Sequence, residues 1–197
     1  MVNGTTRSIN GTYLNLPGNG CSLADRATRI RLLLTDCDGV LTDGTVFYSA
    51  EGEALKRFNI RDGMGVERLR TLVQVDVGII SGEASPALER RAAKLGIHEL
   101  HLGIKDKKAV LDEIVRRRGL ELDQVAYIGD DVNDLQVMGS VGLSACPADA
   151  MVFARQVAHV VCTTVGGAGV LREVAELIIG SQALHDLESL QWMVERV

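Results

Sequence analysis

Short apolar runs recur along the chain, each ending in small or acidic residues. Between them lie longer stretches in which apolar residues return every three or four positions. The first pattern reads as buried strands and the second as helices packed by one face. Strands are predicted at about Ile30–Thr35, Val75–Ile80, Glu99–Leu102, Val125–Ile128, Gly142–Cys146 and His159–Thr163. One helix follows Asn59 with Met64, Val66, Leu69, Leu72 and Val73 inward. A second runs from Pro86 to Leu95, with proline in its first turn and Gly96 as its stop. Asp106 caps a third, which turns Val110, Leu111, Ile114 and Val115 inward and ends at Gly119. Shorter helices are predicted up to Met138 and over Ala148–Gln156. Gly166–Gly169 opens a helix to about Ile179, followed by a separate amphipathic segment, Leu184–Val194.

Strand and helix in alternation imply right-handed crossovers. The predicted fold is α/β: a Rossmann-like parallel sheet with helices on both faces. One segment breaks the alternation. Two β-rich runs around Ala50–Glu53 make a hairpin over about 45–58, projecting from the end of the first strand. Residues 1–28, rich in Asn, Gly, Thr and Ser, are expected to be a flexible extension, residues 29–180 the domain, and residues 181–197 a helical tail.

Composition narrows the partners. A net charge of -5 argues against nucleic acid, and no apolar stretch is long enough to span a membrane. The N-terminus lacks a basic region followed by an apolar block, so no secretory signal is expected. Cys21, Cys37, Cys146 and Cys162 are far apart, without metal-type spacing, which fits a reducing cytoplasm. Arg116–Arg118 reads as the solvated end of a helix. His98 and His101, without a third ligand, read as surface or packing residues.

The chemistry is expected where strands end. Asp36 and Asp38 close the first apolar run and are followed by Gly39. Such a pair suits a hard metal ion, a nucleophile with an acid/base partner, or both. Ser81 follows the second run, Asp130, Asp131 and Asp134 follow another, and Lys107 opens a helix. A parallel sheet gathers such ends, and this set has the parts for phosphoryl transfer through a carboxylate. Asp36 can attack phosphorus. Asp38 can protonate the leaving oxygen and then take a proton from water. Mg2+ held by Asp36, Asp130 and the Asp38 carbonyl, together with Lys107, can balance the phosphate charge. The Ser81 hydroxyl and the Gly82 amide can bind a phosphate oxygen. Cys37, pointing the other way from its neighbours, belongs to the core.

These motifs, in this order, resemble the haloacid dehalogenase superfamily. Asp36-Cys37-Asp38-Gly39 looks like its first motif, Ser81 its second, Lys107 its third and Gly129–Asp134 its fourth. Register with that family favours Lys107 over Lys105 and Lys108. An aspartate at the place of Asp38 separates its phosphatases from its dehalogenases. A closer resemblance is to the capless phosphatases of 3-deoxy-D-manno-octulosonate 8-phosphate and their 2-keto-3-deoxynononate 9-phosphate relatives. It is carried by Asp38–Gly44, Phe58–Gly63, Val125–Asp131, Val141–Ser144 and Gly166–Gly169 with Arg172-Glu173.

The resemblance implies no large cap domain and a homotetramer whose hairpins form a barrel and close neighbouring sites. It implies substrate contacts from Asn59, Arg61, Asp62 and Gly63, and specificity residues at Glu83, Arg91 and Lys94. Octulosonate enzymes typically carry arginine where Glu83 stands; Glu83 and Lys94 match the nononate enzymes better. Two other functions share some of these features. The sialic acid nucleotide-sugar synthetases carry a similar non-catalytic oligomerisation domain, but such a module would have lost motif residues that are present here. A receiver domain would place its acidic pair before the phosphoacceptor. The Gly166–Gly169 run lies too late in the chain for a dinucleotide loop; it is expected to end a strand and let Arg172 approach the site.

Overall fold

The computed structural model describes residues 21–194; most of the expected N-terminal extension, 1–20, and the last three residues of the tail lie outside them. The chain builds α1 (Leu23–Thr28), β1 (Leu32–Thr35), β2 (Phe47–Ser49), β3 (Gly52–Leu55), α2 (Ile60–Leu72), β4 (Asp76–Ile80), α3 (Pro86–Leu95), β5 (Glu99–His101) and α4 (Lys107–Arg118). It continues with β6 (Val125–Ile128), α5 (Leu135–Met138), β7 (Leu143–Cys146), α6 (Val152–Val157), β8 (Val160–Val161) and α7 (Val170–Val194). Six strands form one sheet in the order β5-β4-β1-β6-β7-β8, with every pairing parallel; β2 and β3 form the separate antiparallel hairpin. The α/β reading and the hairpin therefore stand.

Strand order explains where a site belongs. From β1 the chain moves outward to β4 and β5, then returns to the other side of β1 for β6, β7 and β8. The direction reverses between β1 and β6, so the loops leaving these two strands diverge and open a crevice. Thr35 sits level with Ile79 and Ile128, which brings the residues after β1, β4 and β6 to one height.

Each face of the sheet carries its own core. Leu33, Val77, Ile79, Ala126 and Ile128 pack under α1, α2, α3 and α7, while Leu32, Leu34, Ile80, Val125 and Tyr127 pack under α4, α5 and α6. Adjacent strand residues alternate between the two, as pleating requires.

Several elements differ from the sequence expectation. Helix α1 lies inside the expected extension. Ser22 and Asp25 form a reciprocal capping box at its start, and Ala27 is fully buried. Six residues are too short to show a helical period. Helix α7 runs unbroken to Val194 instead of pausing near Ile179; Gln182 fastens it by donating to the carbonyls of Ala27 and Ile30. In α2 the buried stripe is Asp62, Gly65, Val66 and Leu69, leaving Met64 and Leu72 about half exposed. An acid takes a core position there, which periodicity of apolar residues does not register. Arg117 and Arg118 are not simply solvated. Both pair with the buried Glu99, at 2.6 and 2.8 Å, and His101 approaches the same acid at 2.7 Å.

Candidate active site

Asp36 follows β1 directly and is 5% exposed. Its amide donates to the Ile128 carbonyl, tying the loop to β6. One carboxylate oxygen accepts from the Cys37 amide at 2.6 Å and the other meets Lys107 Nζ at 2.9 Å. Lys107 reaches inward because it opens α4 on the buried side. Lys108 instead pairs with Asp112, and Lys105 is exposed.

Lys107 also donates to Asp134 Oδ1 at 2.8 Å, and the buried Tyr127 hydroxyl donates to that same oxygen at 2.6 Å. Asp134 Oδ2 takes the amides of Asp130 and Asp131 at 3.0 and 3.4 Å. Asp134 thus organises the fourth-motif loop and holds the lysine. Asp131 caps the short helical turn that follows. Of the two, only Asp134, fully buried, orients Lys107.

Charge in this cluster is unbalanced. Burial and the nearby Asp134 push the Asp36 carboxyl up to about 6, against the pull of Lys107. Burial followed by the charges of Asp36, Asp134 and Asp131 pushes Asp130 up to about 7. Burial works against the Lys107 charge, but Asp36 and Asp134 outweigh it and hold the ammonium above its usual value. Oxygens of Asp36, Asp130 and Asp134 lie within 4.8 Å of one another, and Asp130 Oδ1 is buried without a partner. A hard cation fits this set, since it supplies the missing charge and engages the orphaned oxygen. Gly39 makes the close approach possible. At φ +87° it needs no side chain, and a Cβ there would lie 2.0 Å from Asp130 Oδ2.

Asp38 stands at the rim. Lys56 Nζ, from the foot of the hairpin, donates to both of its oxygens at 2.6 Å, and the Thr42 hydroxyl donates to one at 3.2 Å. Lys56 was not singled out from the sequence; eighteen positions and a hairpin separate it from Asp38, and no motif spacing signals the pair. Ser81, 1% exposed, accepts the Glu83 amide at 3.3 Å, and Gly82 follows it at the same strand end. Glu83 and Arg61 are exposed near the crevice loops, and Lys94 is exposed in the last turn of α3.

The remaining expected contacts fall at the junction of α2, α3 and α7. Asn59 caps α2 through the Arg61 amide and donates to the Gly167 carbonyl. Asp62 accepts the Arg172 amide in the first turn of α7, where a carboxylate also complements the helix dipole. Gly63 lets Leu95 and Arg91 approach closely, and Arg91 donates to the Asn59 carbonyl while lying 6.0 Å over the Phe58 ring. Arg172 turns along its own helix to Glu176 at 2.8 Å rather than toward the acids. The Gly166–Gly169 run lies on the first-motif loop, and a Cβ on Gly166 would sit 2.2 Å from the Gly39 carbonyl oxygen.

Acids gathered from two strand ends at a switch point and a lysine from the start of α4, with a hairpin in place of a cap domain, define a haloacid dehalogenase-like hydrolase. The family model described as haloacid dehalogenase-like hydrolase matches residues 94–174. A 3-deoxy-D-manno-octulosonate 8-phosphate phosphatase of Yersinia pestis is 45% identical over 80% of this chain and 83% of its own length. The Yersinia pestis crystal structure superposes with a TM-score of 0.79 at 44% identity, covering 82% of this chain and 86% of that one. The Moraxella catarrhalis phosphatase of the same description, in complex with magnesium ion, phosphate ion and KDO, superposes with a TM-score of 0.79 at 34% identity, covering 86% and 97%. The chain belongs to this 3-deoxy-D-manno-octulosonate 8-phosphate phosphatase family, and it is a phosphatase.

Proposed function

We propose that this enzyme removes phosphate from 3-deoxy-D-manno-octulosonate 8-phosphate, with Mg2+ as cofactor, through an aspartyl phosphate on Asp36. The observation that carries the reading is Asp36 itself. It is buried at the switch point and oriented by the Cys37 amide and Lys107, in a chain that is 45% identical to an octulosonate phosphatase over 80% of its length.

Asp36 and Asp130, with the Asp38 carbonyl, would hold the Mg2+, which when bound supplies positive charge to the phosphate oxygens. Lys107 adds a second positive charge, and Ser81 and Gly82 bind a phosphate oxygen. An Asp36 oxygen forms a bond to phosphorus while the bond from phosphorus to the sugar oxygen breaks, and Asp38 gives its proton to that departing oxygen. In the second step Asp38 takes a proton from water, the water oxygen bonds to phosphorus, and Asp36 is released. Asn59, Arg61, Asp62 and Gly63, with Glu83, Arg91 and Lys94, form the sugar side of the site, directly or by shaping the loops that do.

The assembly is a cytoplasmic homotetramer that pairs hairpins between subunits. Supporting this, Phe47, Tyr48 and Leu55 are 53, 75 and 64% exposed on a two-stranded sheet, apolar surface that an isolated hairpin does not cover. No helix among the described residues is long and apolar enough to cross a membrane.

Glu83 favours a second reading, a nine-carbon sugar acid 9-phosphate, because a carboxylate stands where octulosonate enzymes carry arginine. Phosphate release from the eight- and nine-carbon substrates, with Mg2+ and with a chelator, decides between them. The expected result is a higher kcat/KM on the octulosonate ester, lost on chelation and restored by Mg2+. Preference for the nine-carbon ester would replace the substrate assignment, and undiminished turnover without metal would remove the cofactor.

A further inference from the structure

We propose that Lys56 is a positioning residue for the phosphatase reaction: it fixes the Asp38 carboxyl, so that the acid/base group is in place only while the foot of the hairpin is docked on the domain. The inference rests on the acid/base reading of Asp38.

Most hairpin residues are exposed, yet the Lys56 side chain is 1% exposed and its ammonium straddles both Asp38 oxygens at 2.6 Å. Its other neighbour is Glu53 at 3.7 Å, and Glu53 accepts the Ser85 hydroxyl. Ser85 caps α3 through the Leu88 amide at 3.3 Å, just beyond the Ser81–Gly82 loop. A line of contacts thus runs from Asp38 through Lys56 and Glu53 to the helix that follows the expected phosphate-binding loop. Burial disfavours an ammonium, but the Asp38 hydrogen bond leads the interactions that hold Lys56 above its usual value, so it stays charged.

The geometry has a physical consequence. Asp38 is about a quarter exposed, and a carboxyl at the rim turns freely unless both oxygens are held. The ammonium holds both; when Asp38 carries its proton, the oxygen that remains bare keeps the contact. A rotation that moves the proton away from the departing oxygen removes the benefit of acid catalysis, which is typically worth about 10²–10⁴-fold. Lys56 neither gives nor takes a proton. Its effect is therefore greatest where the leaving oxygen most needs one.

This is tested by comparing an alkyl phosphate, the octulosonate 8-phosphate, with p-nitrophenyl phosphate, whose phenolate leaves without a proton. In Lys56→Met, kcat/KM should fall roughly 10²-fold on the alkyl ester and less than about 5-fold on the aryl ester. Asp38→Asn should show the same split, and the double variant should lose no more than Asp38→Asn alone. Equal losses on both esters in Lys56→Met would reduce Lys56 to a hairpin anchor, and no loss would remove its role. A split in Asp38→Asn without one in Lys56→Met overturns the positioning role alone; its absence in Asp38→Asn overturns the acid/base reading beneath it. Lys56→Gln, which keeps a donor and most of the length, should give the same split at smaller size and replaces Lys56→Met if that variant does not fold.

Discussion

Asp36 and Asp38 stand two residues apart, yet they belong to different halves of the molecule. Asp36 is held by the domain itself: a main-chain amide, a buried lysine from α4 and, behind the lysine, Asp134 and Tyr127 from the β6 side. Asp38 is held by one lysine from the hairpin and by Thr42 of its own loop. Groups built on packed strands and helices keep their place because moving them would disturb the core. A group held from a two-stranded projection is only as fixed as that projection. The position of Asp36, the proposed nucleophile, is thus a property of the fold, and that of Asp38, the proposed acid/base, is open to control by whatever the hairpin contacts.

The sharpest way to separate the halves is to remove chemistry from one without touching the other. Asp36→Asn keeps size and the Cys37 contact, so the hairpin half stays intact. Turnover with Mg2+ should fall roughly 10⁴-fold or more on alkyl and aryl phosphates alike. Retained phosphate release would show that Asp36 is not the attacking group.

Lys107→Met strikes the packed half at its centre. It leaves Asp36 and Asp134 buried without their cation, and unpaired buried charge typically destabilises by about 3–5 kcal/mol. Urea unfolding should show this loss, whereas the same measurement on variants at exposed hairpin positions such as Tyr48 should not. An unchanged midpoint would mean that the acids already share a proton or a cation.

Asp62 tests the packed half through pH. Burial pushes its carboxyl up from 3.8 to about 6. The folded state therefore favours the protonated acid. That contribution is complete below about 4 and is lost as pH rises through about 6. With its carboxyl raised from 3.8 to about 6, the parent should lose about 3 kcal/mol across this window that Asp62→Asn does not lose. Denaturation midpoints of the two proteins between pH 4 and 8 measure the difference, and parallel curves would contradict the burial argument.

The smallest effect on the protomer belongs to the hairpin. Tyr48→Ser, at an exposed position, should alter protomer stability by no more than about 0.5 kcal/mol. It should nevertheless shift the assembly toward smaller species in analytical ultracentrifugation and lower activity on alkyl phosphates. An unchanged assembly would leave the exposed hairpin apolar surface unexplained.

Much of this was legible along the chain. The strand ends bearing Asp36, Ser81 and Asp130 follow apolar runs, and Lys107 follows a helix cap, so local pattern and turn chemistry located them. Helix α1 escaped because a capping box and one buried alanine make no period. Met64 and Leu72 were misplaced because Asp62 occupies the stripe that an apolar residue was expected to fill.

Sequence alone determined the α/β alternation, the hairpin and the order of acids and lysine, because these follow from periodicity and from residues that start and stop elements. Only the tertiary structure decided which acids share Lys107, that Asp62 caps α7 across 110 positions, and that Arg172 turns to Glu176. It also decided that the two opening aspartates answer to different partners, Lys107 from the core and Lys56 from the hairpin. Those pairings depend on which surfaces meet when the sheet closes, and burial then sets how strongly each charge is felt.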